Sequence, residues 1–305
     1  MSLTITTPAP SRLLTTVQRV KDLIPVTVST DDALILDLIR RASDAIDSYC
    51  NREFARQVYV QLDGAYGGIG FLCAESPVIV LGTVTFNGNP VTDVTIQEAG
   101  QGLLYRRLGF DWTAQTFPGL TATGWNQFGG GFLNFGNPIP LQEEPLWSVA
   151  FTAGFILPSQ NILDSATVSA AAADNSFNDS ASLFPPLSKA GDIVETSGWT
   201  TAGNNGRWTI VSATTSKIVV SGGVTLTTEA AGAGTRDILF QTLPYDVEQA
   251  CLETVKSAYS SRGTDSAIVE KQMGVARLRY SESGGGADGF GLPPIATALL
   301  RRWTR

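Results

Sequence analysis

An α+β fold is predicted for this chain, with helices towards both ends, short paired strands between them, and an all-β module inserted late. Three observations predict it. Apolar residues recur at helical spacing over residues 32–49 and 245–258. Short runs of Val, Ile, Thr and aromatic residues, broken by Gly, Pro and Asn, fill residues 57–106 and 147–155. Residues 158–241 form a Leu-poor, Ala/Ser/Thr/Gly-rich stretch of alternating character. The domain expectation is a parent core of residues 1–157 plus 242–305, interrupted by a small sandwich or barrel over 158–241.

The first helix is expected over residues 15–24, with Thr15 or Thr16 as cap, Val17, Val20 and Ile24 on one side, and Pro25 as the stop. The second, over residues 30–50, opens on Ser29-x-x-Asp32. Ile35, Leu38, Ile39, Ala42, Ala45, Ile46 and Tyr49 form its apolar side, and Asp37, Arg40, Arg41, Asp44 and Asp47 its polar side. In the strand region Asn87-Gly88 is a hairpin signal, because both residues tolerate the positive φ of a tight turn. Residues 109–145 hold Trp112, Trp125, Phe128, Phe132 and Phe135 without any period and read as a long loop, of the kind that is functional or ordered by a partner.

Within the insert, Gly191–Thr196, Asn204–Val211 and Lys217–Val220 read as strands. A further helix is expected over 245–262, with Pro244 in its first turn, Asp246 and Glu248 at the positive end of its dipole and Gly263 as terminator. Val247, Ala250, Cys251, Thr254, Val255 and Ala258 would pack. Met273 to Ser281 reads as one strand, followed by a Gly-rich linker. A last helix over 293–303 places Ile295, Leu299 and Trp303 at i, i+4 and i+8.

Bulk chemistry excludes several function classes. There is no histidine among 305 residues, which removes the commonest proton-transfer group near neutral pH and every Ser-His or Cys-His nucleophile. The three cysteines, Cys50, Cys73 and Cys251, are widely spaced and form no CxxC pair, so neither a disulfide framework nor a zinc site is expected. Net charge is −7, and residues 61–155 alone carry seven acids against two bases. A protein gripping nucleic acid needs a basic face to neutralise phosphates; this bias is the opposite. No apolar run approaches the about 20 residues that span a bilayer, and MSLTITTPAPSRLL lacks the pattern of a signal peptide.

Short motifs add little chemistry. Gly284-x-Gly286-x-x-Gly289 fits a dinucleotide fingerprint in spacing but not in context, since Pro293 follows and no acidic residue lies some 20 positions on. Glu143-Glu144 is not singled out as a catalytic pair, and Asn178-Asp179-Ser180 reads as a turn. Trp199 and Trp208 have two readings, a sugar-stacking platform or core packing, the second favoured for Trp208 by its strand-like setting. No cofactor, metal or catalytic residue is expected.

The order of these pieces carries a resemblance. LLTTVQRVKDLIPV, STDDALILDLIRRASDAIDSYCNREF, SPVIVLGTVTFNG, FTAGF and LPYDVEQACLETVKSAYSSRG follow one another as in the head-to-tail connector, or adaptor, family of tailed double-stranded DNA phages, over about 1–105, 147–157 and 242–305. The insert, with GDIVETSGW and NNGRWTIVSA, resembles small β modules of phage virion proteins and departs from the minimal adaptor.

The resemblance implies a helical-bundle core, a homo-oligomeric ring, dodecameric by family, beneath the portal, and a channel that DNA traverses without specific binding. It implies downstream neck, stopper or tail proteins as further partners, no membrane, and a place in the virion neck after synthesis in the host bacterial cytoplasm. On this reading Ile295, Leu299, Arg301, Arg302, Trp303 and Arg305 dock on the portal, and Trp112, Trp125, Phe128, Phe132 and Phe135 meet a neighbouring subunit. Two competing readings are a tail or baseplate protein whose β module binds host glycans, and a carboxylate-dependent hydrolase.

Overall fold

A computed structural model describes residues 2–26, 28–64, 68–110, 146–223, 225–232, 236–240, 242–261, 270–273, 276–279 and 291–304. The fold is α+β, and the chain divides into two compact units: residues 1–8 with 56–154, and residues 9–55 with 155–305.

Among its described residues the first unit is built of β-strands, with one 3-10 turn at Ala99–Gln101. Its strands are β1 (Ser2–Thr7), β2 (Gln57–Gly64), β3 (Gly70–Leu72), β4 (Val78–Phe86), β5 (Asn89–Val91), β6 (Val94–Glu98), β7 (Leu103–Arg106) and β8 (Leu146–Ala153). They form a five-stranded sheet in the order β1-β2-β8-β4-β5 and a three-stranded sheet β3-β7-β6. Every pairing is antiparallel. The core gathers Tyr59, Phe71, Phe86, Phe110, Trp147 and Phe151 from both sheets. Asn87 and Gly88 take φ of 48° and 81° between β4 and β5, which is the expected tight turn.

The inward positions of β2 are Gln57, Tyr59, Gln61 and Asp63, so polar groups line a buried face. They are tolerated because they are hydrogen-bonded. Gln61 Oε1 accepts from the Ala74 N–H at 2.7 Å, and its Nε2 donates to the Leu72 carbonyl at 3.1 Å.

The second unit carries the four α-helices of the described residues: α1 (Val17–Leu23), α2 (Asp32–Cys50), α3 (Tyr245–Ser260) and α4 (Pro294–Leu300). Thr16 caps α1 by accepting from the Arg19 N–H at 3.3 Å. Ser29 and Asp32 do not form the expected cap. Residues Ser29–Asp31 make a 3-10 turn, and the Asp32 carboxylate is engaged instead by Lys21 Nζ at 2.8 Å. Asn51 ends α2 in the left-handed region at φ 50°, donating to the carbonyls of Asp47 and Ser48.

The expected apolar face of α2 is buried at Ile35, Ile39, Ala42 and Ile46, but Asp47, expected on the polar side, is buried as well. On α3, Val247, Ala250, Cys251 and Val255 are buried as expected, and so is Glu248. These helices enclose one core that also takes Leu292, Ala296 and Leu300 from the α4 region.

In α4 the apolar stripe is offset by one position. Ile295 is 61% exposed while Ala296 and Leu300 are buried, and the helix stops at Leu300, so Trp303 reaches the core through a turn, its N–H donating to the Leu300 carbonyl. Where one strand was expected near Met273, β16 (Glu270–Met273) and β17 (Ala276–Arg279) pair as a hairpin. Gly263 and the Gly284–Gly289 motif lie outside the described residues.

Between α2 and α3 in the same unit lies a seven-stranded antiparallel sheet of β9 (Ile162–Ser165), β10 (Val168–Ala171), β11 (Ser176–Asp179), β12 (Ile193–Ser197), β13 (Gly206–Ala213), β14 (Lys217–Ser221) and β15 (Arg236–Phe240), in the order β10-β11-β14-β13-β12-β15-β9. Arg236, next to one edge, donates from Nη1 to the Val168 carbonyl on the opposite edge strand at 2.6 Å, so the sheet curls back on itself. Its interior is filled by Phe177, Val194, Trp199, Trp208, Ile218 and Ile238.

Candidate functional site

The α4 region holds the residues expected from sequence to dock, and its geometry follows from local constraints. Pro293 and Pro294 start the helix, at positions where a missing N–H costs nothing. Seven residues later the chain turns, and Trp303 lands on an aromatic seat. Its ring stands edge-on to Phe54 at 6.4 Å and to Phe155 at 6.3 Å, and the Arg52 guanidinium lies 4.9 Å from the Phe54 centroid and 5.9 Å from that of Trp303. Phe54 and Phe155 are themselves joined by a 2.8 Å bond from the Phe155 N–H to the Phe54 carbonyl. Arg302 pairs with Asp246 in the first turn of α3 at 2.6 Å.

The expected docking set therefore splits. Ile295, Arg301 and Arg302 are exposed, whereas Leu299 and Trp303 pack partly against their own core. Arg305 lies outside the described residues. So do Trp112, Trp125, Phe128, Phe132 and Phe135, the expected subunit-contact aromatics, and the Glu143-Glu144 pair.

Buried charge in the helical core was missed by sequence reading. Asp47 accepts from Arg12 Nη2 at 3.0 Å and from the Phe54 N–H at 3.4 Å; burial, working against the pull of Arg12, pushes its carboxyl up to about 6. Glu248 accepts from Arg19 Nη1 at 2.6 Å and Thr15 Oγ1 at 3.3 Å, and burial likewise raises its pKa. Cys251 and Cys50 are buried, with thiols pushed up to about 12 by desolvation, so neither is a ready nucleophile. The only cue to the buried acids was an Asp and a Glu lying beside apolar-face positions of two helices.

In the β module Trp199 and Trp208 are 5% and 4% exposed. The Trp208 Nε1–H donates to Thr196 Oγ1 at 3.0 Å, the Trp199 ring carries the Arg236 guanidinium at 4.5 Å, and both rings pack on Phe177. Both indoles are core, and neither offers a sugar a free face. Among the described residues no group of three or more Cys, Asp or Glu is placed to hold a metal ion.

Comparison with known proteins gives one family match, over part of the chain. Residues 14–67 match the phage gp6-like head-tail connector protein family. The matched segment holds α1, α2 and β2, and therefore Asp47, the Phe54 seat and the polar inward face of β2. No curated protein matches the chain. Among solved structures, a chain in the virion of a native gene transfer agent particle aligns at a TM-score of 0.34 and 13% identity, covering 100% of this chain and 95% of that one. Chains in the neck of the empty particle, computed with C6 symmetry, and in the neck of the native particle, computed with C12 symmetry, align at 0.32 with 14% identity and 0.31 with 13%, with the same coverage. Likeness at this level fixes neither fold nor function.

Proposed function

We propose that this chain is a non-enzymatic head-to-tail adaptor of a tailed-phage-type virion, forming a ring beneath the portal and lining the passage for DNA. The observation that carries the proposal is the connector-family match over residues 14–67, which falls on the helical pair that builds the core of the second unit. On this reading α1 to α4 form the helical-bundle adaptor core, residues 158–241 are an insert in a parent domain of 1–157 plus 242–305, and the aromatic segment 109–145 meets a neighbouring copy.

The chemistry agrees with a part that acts by shape. Histidine is absent, and the cysteines and the raised acids described above are buried in packing. The excess of acids over bases in residues 61–155, seven against two, suits a wall that repels phosphate and lets DNA slide. A ring needs head-to-tail contacts between unlike surfaces of one chain. Ile295, Arg301 and Arg302, exposed beside a seated Trp303, supply an apolar and a basic contact for the portal.

The test is sizing of the pure protein, then electron microscopy with portal. Rings that cap portal support the proposal; a monomer indifferent to portal overturns it. Among the described residues of the β module every aromatic ring is buried, so the glycan-binding reading gains no support there.

A further inference from the structure

We infer that β1 is an exchange strand, which in the assembled ring leaves β2 of its own chain and pairs with β2 of a second copy. This rests on the ring reading above. All six residues of β1 are exposed. Leu3 and Ile5, 37% and 42% exposed, alternate onto one face, and neither joins the core of its unit. What holds the strand is its antiparallel ladder, running from Ser2 opposite Leu62 to Thr7 opposite Val58, with the Thr6 hydroxyl donating to the Val58 carbonyl at 3.2 Å. The β2 edge of any copy offers the same bonds, so the pairing energy is the same within a chain and between chains.

The connection favours exchange. The compact units divide between Pro8 and Ala9, so the chain leaves the first unit directly after β1. Pro8 and Pro10 stiffen the chain at that point, because each fixes its own φ and restricts the residue before it. A short, stiff hinge beside an edge strand is the usual setting for swapping.

The two edges of the sheet also differ. Natural edge strands are guarded by charge, proline or brevity. At the far edge β5 has three residues with Pro90 in the middle, whereas Ser2–Thr7 holds six residues with neither charge nor proline. Pairing β1 of each copy with β2 of the next joins two different surfaces, the head-to-tail contact that closes a ring. It also places Leu3 and Ile5 between copies, where exposed apolar residues are covered.

The experiment uses the full chain carrying Thr4→Cys and Val60→Cys, a directly opposed pair on the exposed ladder; the three native cysteines are buried. Opposed positions in such a pair lie about 4.5–5.5 Å apart at Cα, within disulfide reach. Assemblies isolated by sizing are oxidised and then denatured without reductant. Covalent dimers and longer chains, absent from either single variant, are expected. Assemblies that yield only single chains closed within themselves overturn the exchange and leave the ring reading intact, whereas protein that never assembles, with or without the substitutions, overturns both. Oxidation before assembly provides a second readout. A strand locked to its own β2 is expected to keep the protein monomeric until reductant is added, and ring formation by the locked protein overturns the inference.

Discussion

Arg12 Nη2 lies 3.0 Å from Asp47 Oδ2, tying the segment that precedes α1 to the buried end of α2. The same guanidinium reaches Glu53 at 3.3 Å.

This pair sets a pH dependence. The Asp47 carboxyl sits at about 6 in the folded chain, against about 4 for a free aspartate, so the folded state holds its proton more tightly than the unfolded one. Asp47 therefore disfavours folding as pH rises from about 4 to about 6, and its penalty of about 2–3 kcal/mol is complete above that window. We expect Asp47→Asn, which removes the titrating group and keeps one oxygen for one of the two donors, to gain on the wild type by about 2 kcal/mol between pH 4 and pH 7, whatever its constant offset. Urea denaturation at a series of pH values reads this. Parallel stability curves for the two proteins would refute it.

In the β module Arg236 donates to the carbonyls of Val168 and Ala230 at 2.6 and 2.8 Å and to Glu229 at 3.0 Å. Burial opposes charge on Glu229, but the N–H groups of Thr201 and Thr200 and the Asn204 amide outweigh it and hold the carboxyl down to about 2. Removing the cation strands these acceptors. Arg236→Ala is expected to cost about 3 kcal/mol, with increased hydrogen exchange in β9, β10 and β15 as the local signature. A loss below about 0.5 kcal/mol, the range of an ordinary surface substitution, would show that the sheet closes without it.

Trp303 and Ile295 separate folding from docking. Trp303→Ala empties the seat on Phe54, Phe155 and Arg52, and is expected to cost about 2 kcal/mol, less than a fully buried tryptophan would. Ile295→Asp touches an exposed position and should change stability by no more than about 0.5 kcal/mol. On the adaptor reading it nevertheless weakens portal binding in a pull-down. Unchanged capture of portal by the Ile295→Asp protein removes that position from the docking surface.

Two glycines are required for different reasons. Gly88 has open space where a methyl would stand but φ of 81°, so Gly88→Ala costs about 1 kcal/mol through backbone strain alone. At Gly222 a methyl would stand 2.6 Å from the buried Trp208 ring, and overpacking is expected to cost about 1–3 kcal/mol. Thermal melts check both. Replacing Gly88 by Asn, which tolerates positive φ, should recover most of the first loss, and Gly222→Asn should worsen the second.

The sequence by itself determined the α+β character, the four helices near their observed bounds, the Asn87-Gly88 turn, the apolar face of α2 and most of that of α3, where Ala258, expected to pack, is exposed. Each depends on periodicity or on a φ preference acting within a few residues. Tertiary structure alone decided the rest. Asp47 and Glu248 look like polar-face residues until Arg12, 35 positions away, and Arg19, 229 positions away, arrive to pair with them. Ser2–Thr7 became a strand because β2 supplies a ladder, its Val58 carbonyl accepting from the Thr6 hydroxyl 52 residues away, and Trp303 left the expected stripe because α4 ends three residues before it. A short-range pattern records which face is apolar. Which distant group fills a buried charge's bonds, and which edge a strand finds, depends on chain closure that no local window contains.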